Sequence, residues 1–78
     1  MDGMTTGQAI TCLKNGLKMA RAGWNGKGMW LKIMYPDAYG VMTLPYVYMH
    51  TADGKNVPWL CSQSDFLAID WEIVDEAR

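Results

Sequence analysis

The residues best suited to chemistry lie between Val57 and Trp71, VPWLCSQSDFLAIDW. Ser62 stands three positions before Asp65, the spacing that opens a short helix with Ser62 as its N-cap. The amides of Gln63, Ser64 and Asp65 would then be free donors at a positive dipole end. Trp59 places a flat apolar plate beside them, and a ligand carrying a ring and an anionic group would suit such a site. The competing reading, a plain helix cap with Trp59 and Trp71 in the core, is the one that spacing alone favours. A second candidate is the turn AGWNGKGM, residues 22–29. Its glycines 23, 26 and 28 allow unusual backbone angles and close approach by a ligand. Trp24 in that turn must pack on something, so it either plugs a sheet edge or walls a pocket. The turn is not a phosphate-binding P-loop, because the Lys-Ser/Thr ending and a preceding buried parallel strand are missing.

Catalytic and metal chemistry find less support. His50 is the one histidine; it shares a strand face with Tyr48, and such a residue is ordinarily surface or partly packed. Cys12 and Cys61 are 49 positions apart with no CxxC, which argues against zinc. A cysteine nucleophile would need His50 and a third orienting group, for which there is no cue. Asp65 and Asp70 could form a carboxylate pair, although their spacing fits a cap and a turn residue better. The reading is a binder without catalytic residues, metal or cofactor.

With 78 residues and a net charge of −1, the chain reads as one ligand-binding domain, residues 1–78. So short a chain buries only about 60–65% of its extended surface, and reinforcement by oligomerisation is expected. The cysteines read as small buried thiols of a reducing compartment rather than as a disulfide. No apolar run approaches the ~20 residues of a membrane span, and no signal-peptide pattern opens the chain, so a cytoplasmic protein is expected. Lys14, Lys18, Arg21, Lys27 and Lys32 fall in a stretch without acids, whereas Asp65, Asp70, Glu72, Asp75 and Glu76 crowd the other end. The basic stretch would draw a phosphate-bearing small molecule, or be an ordinary solvated face; it is too small for duplex nucleic acid.

The elements that must position these residues are an α+β set. Thr5 and Gln8 have capping-box spacing, and Ala9, Ile10, Leu13 and Leu17 follow at helical intervals up to Asn15, with Gly16 as the left-handed closing residue. Met19–Arg21 reads as a short strand, Met29–Tyr35 as a second with Leu31 and Ile33 on one face, and Tyr46–Thr51 as a third. Asp53-Gly54 turns the chain back through Val57, and Pro58 puts that return strand at an edge. A short helix near 62–68, a last strand Trp71–Val74 and a frayed tail over Asp75–Arg78 complete the reading. The expected fold is a small antiparallel sheet with one N-terminal helix and a second short helix, assembled as a homo-oligomer.

Taken together, GQAITCLKNGLKMAR, WNGKGM, MHTADGKNVPWL and CSQSDFLAIDWEIV resemble the second described family of Thoeris anti-defence proteins, small phage sponges. The resemblance covers roughly residues 6–35 and 46–74, and its most specific parts are WNGK and ADG-x-x-VPWL-x-SQ-x-D-x-L-A-x-DW. It implies sequestration without reaction: members bind glycocyclic ADP-ribose isomers, the signals of TIR-domain proteins, in the host cytoplasm. Some also capture cyclic dinucleotides at a separate site. It further implies a homotetramer with ligand sites at subunit interfaces, and no membrane or nucleic-acid polymer as partner. The implied ligand-binding residues are Arg21, Trp24, Asn25, Trp59, Ser62, Gln63 and Asp65. Trp24 or Trp59 would stack on adenine and Arg21 would neutralise phosphate. Asn25, Ser62 and Gln63 would read ribose or base edges, and Asp65 would join them or hold the helix opening. Two departures bear on ligand preference: the segment leading to Pro45 is short, and Thr6 replaces an expected aromatic residue. The alternatives are a hydrolase using Asp65 or His50, and a structural or protein-interaction module of a phage or prophage with no small-molecule ligand.

Overall fold

The computed structural model describes residues 3–75; of the expected frayed tail, residues 76–78 lie outside the described residues. Helix α1, Thr6–Lys14, begins with both halves of the capping box: the Gln8 amide donates to Thr5 Oγ1 and the Thr5 amide to Gln8 Oε1. It ends as a Schellman motif, with the Gly16 amide on Leu13 O and the Leu17 amide on Cys12 O. Gly16 takes φ +86°, where a Cβ would be strained, so glycine sets the helix length here.

Five strands follow: β1 Lys18–Arg21, β2 Trp30–Met34, β3 Tyr46–His50, β4 Asn56–Pro58 and β5 Trp71–Val74, with α2, Gln63–Phe66, between the last two. All pairings are antiparallel, in the order β4-β3-β2-β1-β5. Pro58 does mark an edge strand, as expected of a residue without an amide hydrogen. Gly54 (φ +84°) completes the turn between β3 and β4. The α+β class, with an antiparallel sheet and two helices, is therefore as read from sequence, although α2 is shorter than residues 62–68.

Antiparallel register decides which side chains meet. Met19 pairs with Leu31 and Ile73, Leu31 with Met49, and Arg21 with Trp71, so these residues share the face that α1 covers. Ala9 and Leu13 from α1 pack there on Met19, Leu31 and Trp71, joined by Ala68. The opposite face carries Trp30, whose ring stacks on His50 at 4.8 Å and lies 4.3 Å from Lys18 Nζ. His50 is thus a packed strand residue whose Nδ1 is 2.8 Å from Asn56 Oδ1. One expectation fails: Cys12 is half-buried but Cys61 is exposed, because the chain past Pro58 runs outside the sheet before α2 begins.

Leu31 has no exposed surface, whereas Ile10 is 42% exposed. Leu31→Ala is expected to cost about 2–5 kcal/mol, a large share of the ~5–15 kcal/mol that holds a domain folded. Urea unfolding should show that loss as a lowered midpoint, with Ile10→Ala close to wild type.

Candidate functional site

At the end of β1 the chain leaves the sheet through Arg21, and the return from α2 passes directly over it. The Arg21 guanidinium donates from Nη1 to Asp65 Oδ1 at 2.7 Å and from Nε to Asp70 Oδ1 at 2.8 Å. Asp70 also accepts from the Gly23 amide through Oδ2, and its carbonyl accepts from the Ala22 amide. The glycine-rich turn is therefore fastened to the start of β5. A Cβ on Gly23 would stand 2.8 Å from Asp70 Oδ2, so the first glycine of the turn makes room for that carboxylate.

Asp65 is buried, and its Oδ1 takes a second donor, Trp24 Nε1, at 3.0 Å. Ser62 is the N-cap of α2: its Oγ accepts from the Asp65 amide at 3.1 Å. Asp65 and Asp70 were expected as a cap and a turn residue. Ser62 does the capping, and both carboxylates instead grip Arg21, because the β1–β5 register sets Arg21 opposite Trp71, next to Asp70.

The indoles form a second layer of the same cluster. Trp71 is buried and receives Trp24 edge-on at 5.5 Å and Trp59 edge-on at 6.0 Å, near-perpendicular arrangements that suit aromatic pairs. Its Nε1 donates to Thr6 Oγ1 at 2.9 Å, and that hydroxyl donates to Asp65 O at 2.8 Å. Thr6 thus ties the first turn of α1 to α2 and to the central indole. Trp24 packs on the core, as a ring in that turn must, and borders a hollow of about 470 Å³. That hollow is lined further by Arg21, Gly26, Lys27, Gly28 and Glu72.

Of the seven candidate residues, Arg21, Trp24 and Asp65 are bonded to one another, Ser62 holds Asp65, and Trp59 joins through Trp71. Asn25 and Gln63 are exposed outside this bonded cluster. Asp70, Trp71, Thr6 and Lys27 were not among the candidates. The D-W pair was visible in sequence, but only the register shows that it faces Arg21.

Charge explains the state of the carboxylates. Burial pushes Asp65 up, but hydrogen bonds from Arg21, Trp24 and Ser62 outweigh it and hold the group below its ordinary value. Asp70 is lowered chiefly by Arg21, against some burial, and Arg21 is raised by Asp70 and then Asp65. One cation and two anions leave the clamp at net −1, and Lys27 and Glu72 on the lining of the hollow offset each other, so local attraction for an anion there falls to Lys27 against an overall negative balance.

The stability contributed by both aspartates is complete above about pH 4, the unfolded carboxylate value, and is lost as pH falls through their lowered folded values. The urea midpoint should therefore change little between pH 7 and 5 and fall below pH 4. Asp65→Asn is expected to cost about 1–3 kcal/mol at pH 7 and to flatten that acid limb. An acid limb unchanged in both Asp65→Asn and Asp70→Asn would place its origin in other carboxylates.

The Thoeris anti-defense 2-like domain model matches residues 4–74. A protein of Bacillus phage SP01, Thoeris anti-defense 2, is 38% identical over 84 residues, covering 91% of this chain and 94% of that protein. The matched span contains every residue of the arginine clamp and the indole cluster, and the chain belongs to the Thoeris anti-defense 2-like family.

Proposed function

We propose that this chain is a phage anti-defence protein that binds a cyclic ADP-ribose-type signal and holds it without cleaving it. The observation that carries the reading is the joining of Arg21, Trp24 and Asp65 beside an open hollow, in a chain of the Thoeris anti-defense family. Trp24 offers an indole wall on which adenine can stack, while Trp71 and Asp65 hold the ring from behind. Lys27, on the lining of the hollow, supplies the local attraction for the phosphates, and Arg21 adds hydrogen-bond donors only to the extent that its two carboxylates release it. Asn25 on the turn, and Gln63 and Ser62 at the opening of α2, offer amides and a hydroxyl to ribose and base edges. Trp59, edge-on to the same Trp71, adds to the apolar surface of the cluster.

The assembly belongs to the same proposal: a homotetramer in which a neighbouring copy closes the hollow, shallow in one chain. Cyclic dinucleotides at a separate site are the weaker part of it. A second reading is favoured by one feature. Arg21 is already shared between two carboxylates and the indoles are packed on each other, as in a structural clamp within a protein-interaction module. The enzyme reading has less behind it, since Asp65 is engaged by two donors and His50 lies on the opposite sheet face.

Mixing the protein with a glycocyclic ADP-ribose isomer and then heat-denaturing it should return the ligand intact. Recovery of linear ADP-ribose would mean hydrolysis. A ligand at about 100 times its dissociation constant adds roughly 2.7 kcal/mol, which reads as a rise in melting temperature. Trp24→Ala is expected to abolish that rise. No rise with any cyclic nucleotide in the wild-type protein would favour the structural module.

A further inference from the structure

Glu72 is an acidic residue on the lining of the hollow that Trp24, Lys27 and Arg21 border. If phosphate were all that this hollow took, Glu72 would only repel it. Its position follows from the β1–β5 ladder, in which Glu72 is the partner of Ala20. Ala20 lines the hollow as well, and its short methyl leaves the space above that part of the sheet open. The hollow, about 470 Å³, is of the size that small-molecule sites have.

An ionised carboxylate only accepts, through two oxygens with about four lone-pair sites. What Glu72 can hold in the hollow is therefore a donor: an ammonium, a ring amine or a pair of hydroxyls. An ammonium would lie near Lys27 and Arg21, cation against cation. The amine edge of adenine sets its donor beside a ring acceptor, so one carboxylate oxygen would meet a lone pair. A vicinal diol is uncharged and offers two donors side by side, one for each oxygen. In a nucleotide the ribose is bonded to the base on one side and to phosphate on the other. A base on Trp24 and a phosphate drawn by Lys27 therefore leave the sugar for the third polar group of the lining. Dinucleotide-binding folds use an acidic side chain on ribose hydroxyls in the same way. Glu72 is already engaged within the fold, and its lone pairs are numerous enough for a bound diol to be added to that engagement.

We propose that Glu72 is a specificity-determining residue of this hollow, accepting from the vicinal hydroxyls of a ribose in the bound nucleotide. The hollow then selects a ribosyl compound with a free diol over a bare phosphate or a deoxyribose compound. This inference rests on the signal-binding reading above and names the part of the signal that the carboxylate recognises. Charge by itself makes the opposite prediction, since removing an acid would tighten the hold on an anionic ligand.

Isothermal titration calorimetry on the full chain tests it, with a glycocyclic ADP-ribose isomer and with its analogue lacking the ribose diol. A hydrogen bond to a charged group is worth about tenfold or more in affinity, so Glu72→Gln should weaken the hold on the isomer by at least that factor. Wild type should lose a similar factor on the analogue, and Glu72→Gln should weaken the analogue no further. Unchanged or tighter binding of the isomer by Glu72→Gln would overturn the assignment and leave the signal-binding reading standing. An equal loss for isomer and analogue in that variant would also overturn it, by making Glu72 a support of the fold. A wild type that binds no such isomer would sink the signal-binding reading, and the assignment with it. Should Glu72→Gln fail to fold, the wild type decides through the two ligands, and equal affinity for both would contradict a diol-reading hollow.

Discussion

The ion pairing of one guanidinium with two carboxylates governs this molecule. Arg21 sits at the last position of β1, and its partners arrive from residues 65 and 70, more than forty positions later. Closing such distant segments costs chain entropy, and a chain of this size has little core with which to offset it. Two charge-assisted hydrogen bonds, shielded by packed indoles, are a compact means of doing so. Removing the Asp65 carboxylate would leave Asp70 to hold Arg21 alone and would free Trp24 Nε1. The clamp is therefore both a fold closure and the support of the tryptophan that faces the hollow.

That double duty shapes the functional reading. A binding wall works best when its rotamer is fixed before the ligand arrives, because ordering side chains on binding lowers affinity. Trp24 is fixed at its nitrogen by Asp65 and along its ring by Trp71, while its turn is fastened through Gly23 to Asp70. Sequestration also asks less of a site than catalysis does: it needs tight, complementary contact and no reactive group. The carboxylates of Asp65 and Asp70 and the ring of His50 are already engaged within the fold. Among the described residues no helix is long and apolar enough to cross a membrane.

Much of this was legible in the sequence, for local reasons. The capping box at Thr5 and Gln8, Gly16 after the helix, Asp53-Gly54 and the edge residue Pro58 each act within a few positions, so their types state their roles. Ser62 was readable as a cap for the same reason. The partnership of Asp65 and Asp70 with Arg21 was not, because it depends on β5 crossing to the far side of β1, and nothing local sets that register. Thr6 shows the same limit. Its hydroxyl bridges Trp71 and α2 across 65 and 59 positions, while in sequence it is only the residue after a cap. Cys61 was misjudged because a small apolar thiol beside Trp59 suggests burial, yet the chain there runs over the surface.

The four tryptophans offer the most direct test, since Trp24, Trp59 and Trp71 share the cluster and Trp30 lies on the opposite sheet face. Their indole N–H signals can be followed by two-dimensional NMR while a glycocyclic ADP-ribose isomer is added. The Trp24 signal is expected to move first and furthest, with Trp71 following and Trp30 unmoved. A titration that leaves Trp24 in place, or shifts Trp30 alone, would contradict a signal site built on the arginine clamp.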